Sequence, residues 1–136
     1  MYDPVMVQPM RDEVTKLGMK EMRTAEDVEK ELMAPGTAFV FINSVCGCAA
    51  GGARPALKLA LQHSKKPDRL TTAFAGNDVE AVAKARSFFT GFPPSSPQFA
   101  IIKNGKLAWM MERWQIEGRA PESIAADLVK VFDSLD

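Results

Sequence analysis

Apolar positions along this chain alternate between two kinds of spacing, and the changes mark out its elements. Residues Thr37, Ala38, Phe39, Val40, Phe41 and Ile42 are β-branched, aromatic or small, with no charged break. Such a run reads as a central strand buried on both faces, as in a sheet covered by helices. Further strands are predicted over 69–75 and 98–103. Asn104-Gly105 is the strongest hairpin signal in the chain and joins 98–103 to a partner strand over 106–112. Helical spacing places Ala56, Leu57, Ala60 and Leu61 on one face of a helix over 53–65. The same reasoning puts Val82, Ala85, Phe88 and Phe89 on a helix over 79–89. A terminal helix over 121–135 turns Ile124, Leu128, Val131 and Phe132 inward.

Turn and cap residues divide these runs. The first eight residues read as an irregular lead-in, followed by a short helix over 9–17 that Gly18 stops. Residues 19–22 suit a short strand. Thr24 with Asp27 three positions on is a near capping box, opening a helix that runs to Met33 and ends at Pro35-Gly36. Residues 43–52 are turn-rich. Lys65-Lys66-Pro67-Asp68 breaks a helix, and Gly76-Asn77-Asp78 is a turn or cap. Residues 91–97 contain Pro93, Pro94 and Pro97 and exclude regular structure. A strand, helix and strand in succession form a parallel unit, whereas the short hairpin connection forces antiparallel pairing. The expected fold is α/β, a three-layer α/β/α sandwich with a mixed central sheet. At 136 residues the chain fits a single domain over 1–136.

Composition narrows the function classes. The chain is 46% hydrophobic and 25% charged, ordinary for a soluble protein that builds its own core. Lysine plus arginine and aspartate plus glutamate each total 17, so no basic excess marks a nucleic-acid surface. No apolar run is long enough to span a membrane, and Met1 to Met6 lack the pattern of a secretory signal. A cytoplasmic protein is expected. In a reducing compartment a close cysteine pair is more often catalytic, redox-sensing or metal-binding than structural.

Both cysteines, Cys46 and Cys48, fall in Ser44-Val45-Cys46-Gly47-Cys48, between the buried strand and the next helix. Free backbone N–H groups and the helix dipole stabilise a thiolate there and make the sulfur nucleophilic. Arg54 is a nearby source of positive charge whose direction the sequence leaves open. Gly47 permits a bend that brings the sulfurs together. A bridge between residues two apart closes a small ring, which favours exchange over permanence. Cys46, nearer the strand end and expected to be the more exposed, is the candidate nucleophile, and Cys48 the candidate resolving thiol. Alternatives are two inert apolar cysteines, or a metal-binding or redox-sensing module without catalysis. A closed zinc site wants four ligands, and the only histidine, His63, is expected mid-helix more than two turns away. No cofactor or resident metal is expected.

Other features read more plainly. Pro97, after Ser95-Ser96, opens a strand and is either an ordinary trans proline or a cis bond in a tight turn. Trp109 and Trp114 suit core packing or a partner surface, which leaves a homodimer through that edge open. Glu112, Arg113 and Glu117 read as a solvated charged edge. Gly51-Gly52 is a weak candidate for a backbone anion pocket. The methionines suit gap-filling in the core.

The order of elements, the cysteine pair after the first central strand and the proline before the hairpin together resemble the thioredoxin fold. By that resemblance Pro97 is the cis proline beside the cysteines, and the backbone around Ser96 pairs with an incoming substrate strand. More closely, the stretch from Asn43 to Pro55 with its Cys-Gly-Cys and following Ala49-Ala50-Gly51 resembles the bacilliredoxins, bacterial proteins also described as thiol–disulfide isomerases. Trp114-Gln115-Ile116-Glu117-Gly118 resembles a second stretch of that family. The resemblance implies that Cys46 attacks proteins carrying a mixed disulfide and takes the low-molecular-weight thiol, bacillithiol, onto itself. Cys-x-Cys instead of Cys-x-x-Cys, and Val45 where thioredoxins carry tryptophan, separate the chain from ordinary thioredoxins.

Overall fold

A computed structural model describes residues 1–135. Among them the strands are β1 (Lys20–Glu21), β2 (Thr37–Asn43), β3 (Arg69–Phe74), β4 (Gln98–Lys103) and β5 (Lys106–Met111). They form one sheet in the order β1-β3-β2-β4-β5. β1 and β2 run parallel to β3, while β4 runs antiparallel to both β2 and β5. The sheet is therefore mixed, with β2 at its centre.

Every residue of β2 is buried. Because successive side chains point to opposite faces, one strand feeds two cores. Phe39 and Phe41 pack with Val14, Leu57, Phe99, Ile116, Leu128 and Phe132. Ala38, Val40 and Ile42 pack on the other side with Val28, Leu32, Val82 and Ile102. The first face is covered by α1 (Pro4–Thr15), α3 (Arg54–Ala60), α5 (Arg113–Ile116) and α6 (Pro121–Asp133), and the second by α2 (Ala25–Leu32) and α4 (Val79–Arg86). These are the three layers the sequence predicts. Phe39 lies offset on Phe99 with ring centroids 5.5 Å apart and meets Phe132 edge-on at 5.6 Å. Burying each such ring contributes roughly 2–3 kcal/mol, so this aromatic group anchors the sheet against α6.

The structure corrects several element boundaries. The expected lead-in is already helix. Asp3 caps α1 by accepting from the Val5 amide at 2.9 Å, and Pro4 occupies the first turn, where its missing N–H costs nothing. Val7, Arg11 and Val14 bury one stripe that runs past Pro9, which faces solvent. That stripe outweighs the single hydrogen bond Pro9 removes. The helix expected over 53–65 ends at Ala60, so His63 stands beyond it, with Nε2 2.7 Å from Asp133 Oδ1. α4 stops at Arg86, although Phe89 is still buried and Phe88 partly so. The short helix α5 was not anticipated. No described helix is long and apolar enough to cross a membrane.

Candidate active site

The site begins where β2 stops. Asn43, its last residue, is buried and turns its side chain into a knot of hydrogen bonds. Its Nδ2 donates to the Met10 carbonyl of α1 at 3.0 Å. Its Oδ1 accepts from the Ser44 amide at 2.8 Å and from Arg54 Nη1 at 3.0 Å. Arg54 is 4% exposed. It also donates from Nη1 to the Ser44 carbonyl at 2.8 Å and from Nε to Glu13 Oε2 at 2.6 Å. The positive charge that the sequence leaves undirected is therefore aimed at the backbone preceding the cysteines. A buried guanidinium is tolerated only when its donors are met, and here they hold one turn of chain in place. Ser44 Oγ then accepts from the Cys46 amide at 3.0 Å.

Helix starts at once after Cys46. Gly47 and Cys48 are already helical, and the amides of Ala49 and Ala50 donate to the Cys46 carbonyl at 3.0 and 3.2 Å. The segment expected as a loop to Gly52 is instead a π-helical turn, Ala49–Ala53, that runs into α3. Such turns interrupt helices most often at functional positions. Gly52 accounts for its residue type, because a Cβ there would lie 3.4 Å from Ile124 Cδ1 and 3.5 Å from Ile116 Cγ2. It packs the turn against α5 and α6. Gly51-Gly52 is thus part of the helix and does not form the anion pocket considered from sequence.

Both sulfurs are free thiols and half-buried, so neither is plainly the more exposed. What separates them is hydrogen bonding. The Cys48 thiol donates to the Cys46 sulfur and holds the Cys46 thiol below its ordinary value, with burial opposing. The Cys48 amide, 3.4 Å from Cys46 Sγ, and the charge of Arg113 add to the lowering. Cys48 is pushed up, first by burial and then by its hydrogen bond to Cys46 and that sulfur's charge. The two values are pushed apart, Cys46 down and Cys48 up, so that Cys46 is the sulfur that ionises first and Cys48 the one held back.

A second strand end completes the site. Ile42 pairs with Gln98, so one step further along the ladder brings Pro97 opposite Asn43. The Ser96-Pro97 bond is cis. Pro97 is buried and Ser96 half-buried, and Ser96 makes no hydrogen bond among the described residues. The loop before it is tied on both sides: Arg86 Nη2 donates to the Ser95 carbonyl at 2.7 Å, and the Arg113 amide reaches Ser95 Oγ at 3.4 Å. Arg113, part of a solvated edge by sequence, is a candidate site residue that only the structure brings into view. It is exposed, but its charge acts on both sulfurs. Its Nε pairs with Glu117. Trp114, 72% exposed, stands beside it and donates from Nε1 to Glu112 at 2.6 Å, whereas Trp109 packs against the core. His63, at the far end of α3, is not at the site. Among the described residues no three His, Cys, Asp or Glu side chains gather as a metal site would need.

Comparison with known proteins bears on the fold and the family. Among solved structures, thioredoxin from Trypanosoma brucei brucei matches with a TM-score of 0.58 at 18% identity, covering 85% of this chain and 91% of that one. The fold is that of thioredoxin. A bacilliredoxin of Geobacillus kaustophilus is 50% identical over 127 residues, covering 93% of this chain and 88% of its own length. One of Cytophaga hutchinsonii is 49% identical over 135 residues, covering 99% and 100%. The family model described as disulphide isomerase matches residues 2–135. A polarised Cys-Gly-Cys pair at the end of the central strand, on a thioredoxin fold and with near-full-length relatives of this kind, places the chain in the disulphide isomerase family, among the bacilliredoxins.

Proposed function

We propose that the chain takes a low-molecular-weight thiol, of the bacillithiol type, off proteins that carry it as a mixed disulfide. The observation that carries this reading is the Cys46 sulfur, partly exposed at the end of the central strand, with the Cys48 amide 3.4 Å from it and its thiol held below the ordinary value. The Cys46 thiolate attacks the small-thiol sulfur of the mixed disulfide. One S–S bond breaks as another forms, and the protein leaves as its thiolate. In this reading the protein strand lies along Ser96 and Pro97, and Ser96, half-buried and without a hydrogen-bond partner among the described residues, suits pairing with it.

Cys48 is then the resolving thiol. Burial, the first cause that holds its proton on, stays, but the next two, the hydrogen bond to Cys46 and that sulfur's negative charge, disappear once Cys46 is in a neutral mixed disulfide, which brings the Cys48 value down. Arg113 still pulls it down as well. Cys48 can therefore ionise after the first step, attack Cys46, expel the small thiolate and leave a Cys46–Cys48 disulfide for an external dithiol to reduce. The two-electron balance is closed by that reductant. A reducing compartment such as the cytoplasm supplies it.

The test follows release of the small thiol from a protein mixed disulfide. Cys46→Ser should bring the rate to that of the uncatalysed exchange. Cys48→Ser should stop after one turnover with the small thiol on Cys46, visible by mass. Full activity in Cys46→Ser overturns the assignment. Stoichiometric metal in the purified protein, with thiols that alkylate slowly, would instead favour a metal-binding or redox-sensing module.

A further inference from the structure

Arg113 does more than bias the sulfurs. Its backbone amide is fastened to Ser95 Oγ at 3.4 Å, one residue before the Ser96-Pro97 bond. Its helix packs through Ile116 against Gly52 of the π turn, so α5 forms a wall of the cysteine site. Glu117, one turn on, takes the guanidinium at Nε. Nη1 and Nη2 have no partner among the described residues, and the side chain is 47% exposed. A guanidinium held at Nε presents the two outer nitrogens as a planar fork. That fork fits a carboxylate through two parallel hydrogen bonds, which a lysine cannot reproduce.

We propose that this fork makes Arg113 a specificity-determining residue, which binds a carboxylate borne by the small-thiol half of the mixed disulfide. The proposal rests on the exchange reading above. In that exchange the small thiol becomes bonded to Cys46 while the protein half departs in the opposite direction. The half retained is the one carried on Cys46, the sulfur on which the charge of Arg113 acts. Its negative charge is met by a group already fixed in place, so little ordering is required at the moment of binding. Glu117 has a second effect, since it repels anions that approach off the axis of the fork.

The test uses one cysteine peptide disulfide-bonded to N-acetylcysteine or to its carboxamide, two small thiols that differ only in the carboxylate. The wild-type chain should favour the carboxylate by about tenfold in kcat/KM, the scale of a charged hydrogen-bonded pair at a half-exposed site. Arg113→Gln should bring the ratio down to that of uncatalysed exchange, and Arg113→Lys should fall between them. Because both substrates meet the same Cys46, any change in thiol ionisation cancels in the ratio. If Arg113→Gln slows both substrates equally and leaves the ratio intact, the arginine acts on the sulfurs alone and the proposal fails. It fails also if the preference follows a Glu-for-Gln change beside the peptide cysteine, since the carboxylate is then on the protein half. No exchange by the wild-type chain with either substrate overturns the proposed function itself, and this recognition with it.

Discussion

At the N-terminal end of β2, Thr37 and Asp68 hold each other. The Thr37 amide and hydroxyl donate to Asp68 Oδ2 at 2.9 and 3.3 Å, and the Asp68 amide donates to Thr37 Oγ1 at 2.9 Å. Gly36 and Asn104 exchange a second pair, and Arg69 donates to the carbonyls of Glu31, Ala34 and Pro35. At the C-terminal end, Arg54 and Asn43 do similar work on Ser44 and α1. The two ends differ in what is left over. At the first, the polar groups named satisfy one another, and no reactive side chain stands among them. At the second, the same kind of network reaches the Cys46 amide and leaves the two sulfurs outside it, and a further cation, Arg113, acts on them through its charge with two nitrogens free among the described residues. A strand end becomes a site here because its backbone is held without using up its chemistry.

Arg54 is where the contrast is easiest to break. Arg54→Met keeps the volume and removes every donor, leaving the buried Ser44 carbonyl without its partner. Breaking such a network should cost about 2–4 kcal/mol of stability in urea denaturation. It should also broaden and move the pH profile of Cys46 alkylation, because the chain that sets the Cys46 amide loses its tether. A stable variant with an unchanged profile would mean that the π turn alone fixes the sulfurs.

Asp68→Ala is the matching change at the other end and should do less. It removes the two hydrogen bonds that the exposed carboxylate accepts from Thr37 and leaves the one donated by the residue-68 amide, at a cost of about 1–2 kcal/mol. Its alkylation profile should overlay that of the wild type. A moved profile would show that the two ends of β2 are coupled through the strand, and the contrast drawn above would not hold.

How much of this is written locally explains how much the sequence discloses. The burial of β2, the Thr24 cap with Asp27 and the Asn104-Gly105 hairpin depend on neighbours a few residues away, and all are legible. The cysteine pair and Pro97 are legible for the same reason, though only the fold brings Pro97 opposite Asn43 at the end of the strand that leads to the cysteines. The direction of Arg54, whose charge near the cysteines is legible, and the placement of Arg113 are not. Each arginine is one charged residue among many in sequence, and its meaning comes from Glu13, 41 positions off, or from sulfurs and a serine on other elements. Pro9 misleads in the opposite way. Its local rule says that a helix starts there, while the buried stripe of Val7, Arg11 and Val14 carries the helix past it.

Cys48→Ala tests the leftover chemistry itself, with the smallest expected change in stability, under about 1 kcal/mol for the loss of one half-buried sulfur. Alanine is chosen because serine would put a hydroxyl donor back. The first cause of the low Cys46 value, the Cys48 S–H, is then gone, while the residue-48 amide and Arg113 stay. The Cys46 value should therefore rise part of the way to that of a free cysteine. Alkylation follows the thiolate fraction, so the rate near neutral pH should fall several-fold, with the two curves meeting at a pH above both values. An unmoved curve would assign the thiolate to the backbone amide and Arg113, and would leave Cys48 the resolving role alone. A curve moved all the way would mean that Arg113 contributes little to ionisation, so that any effect of Arg113→Gln on the carboxylate preference reports recognition and nothing else.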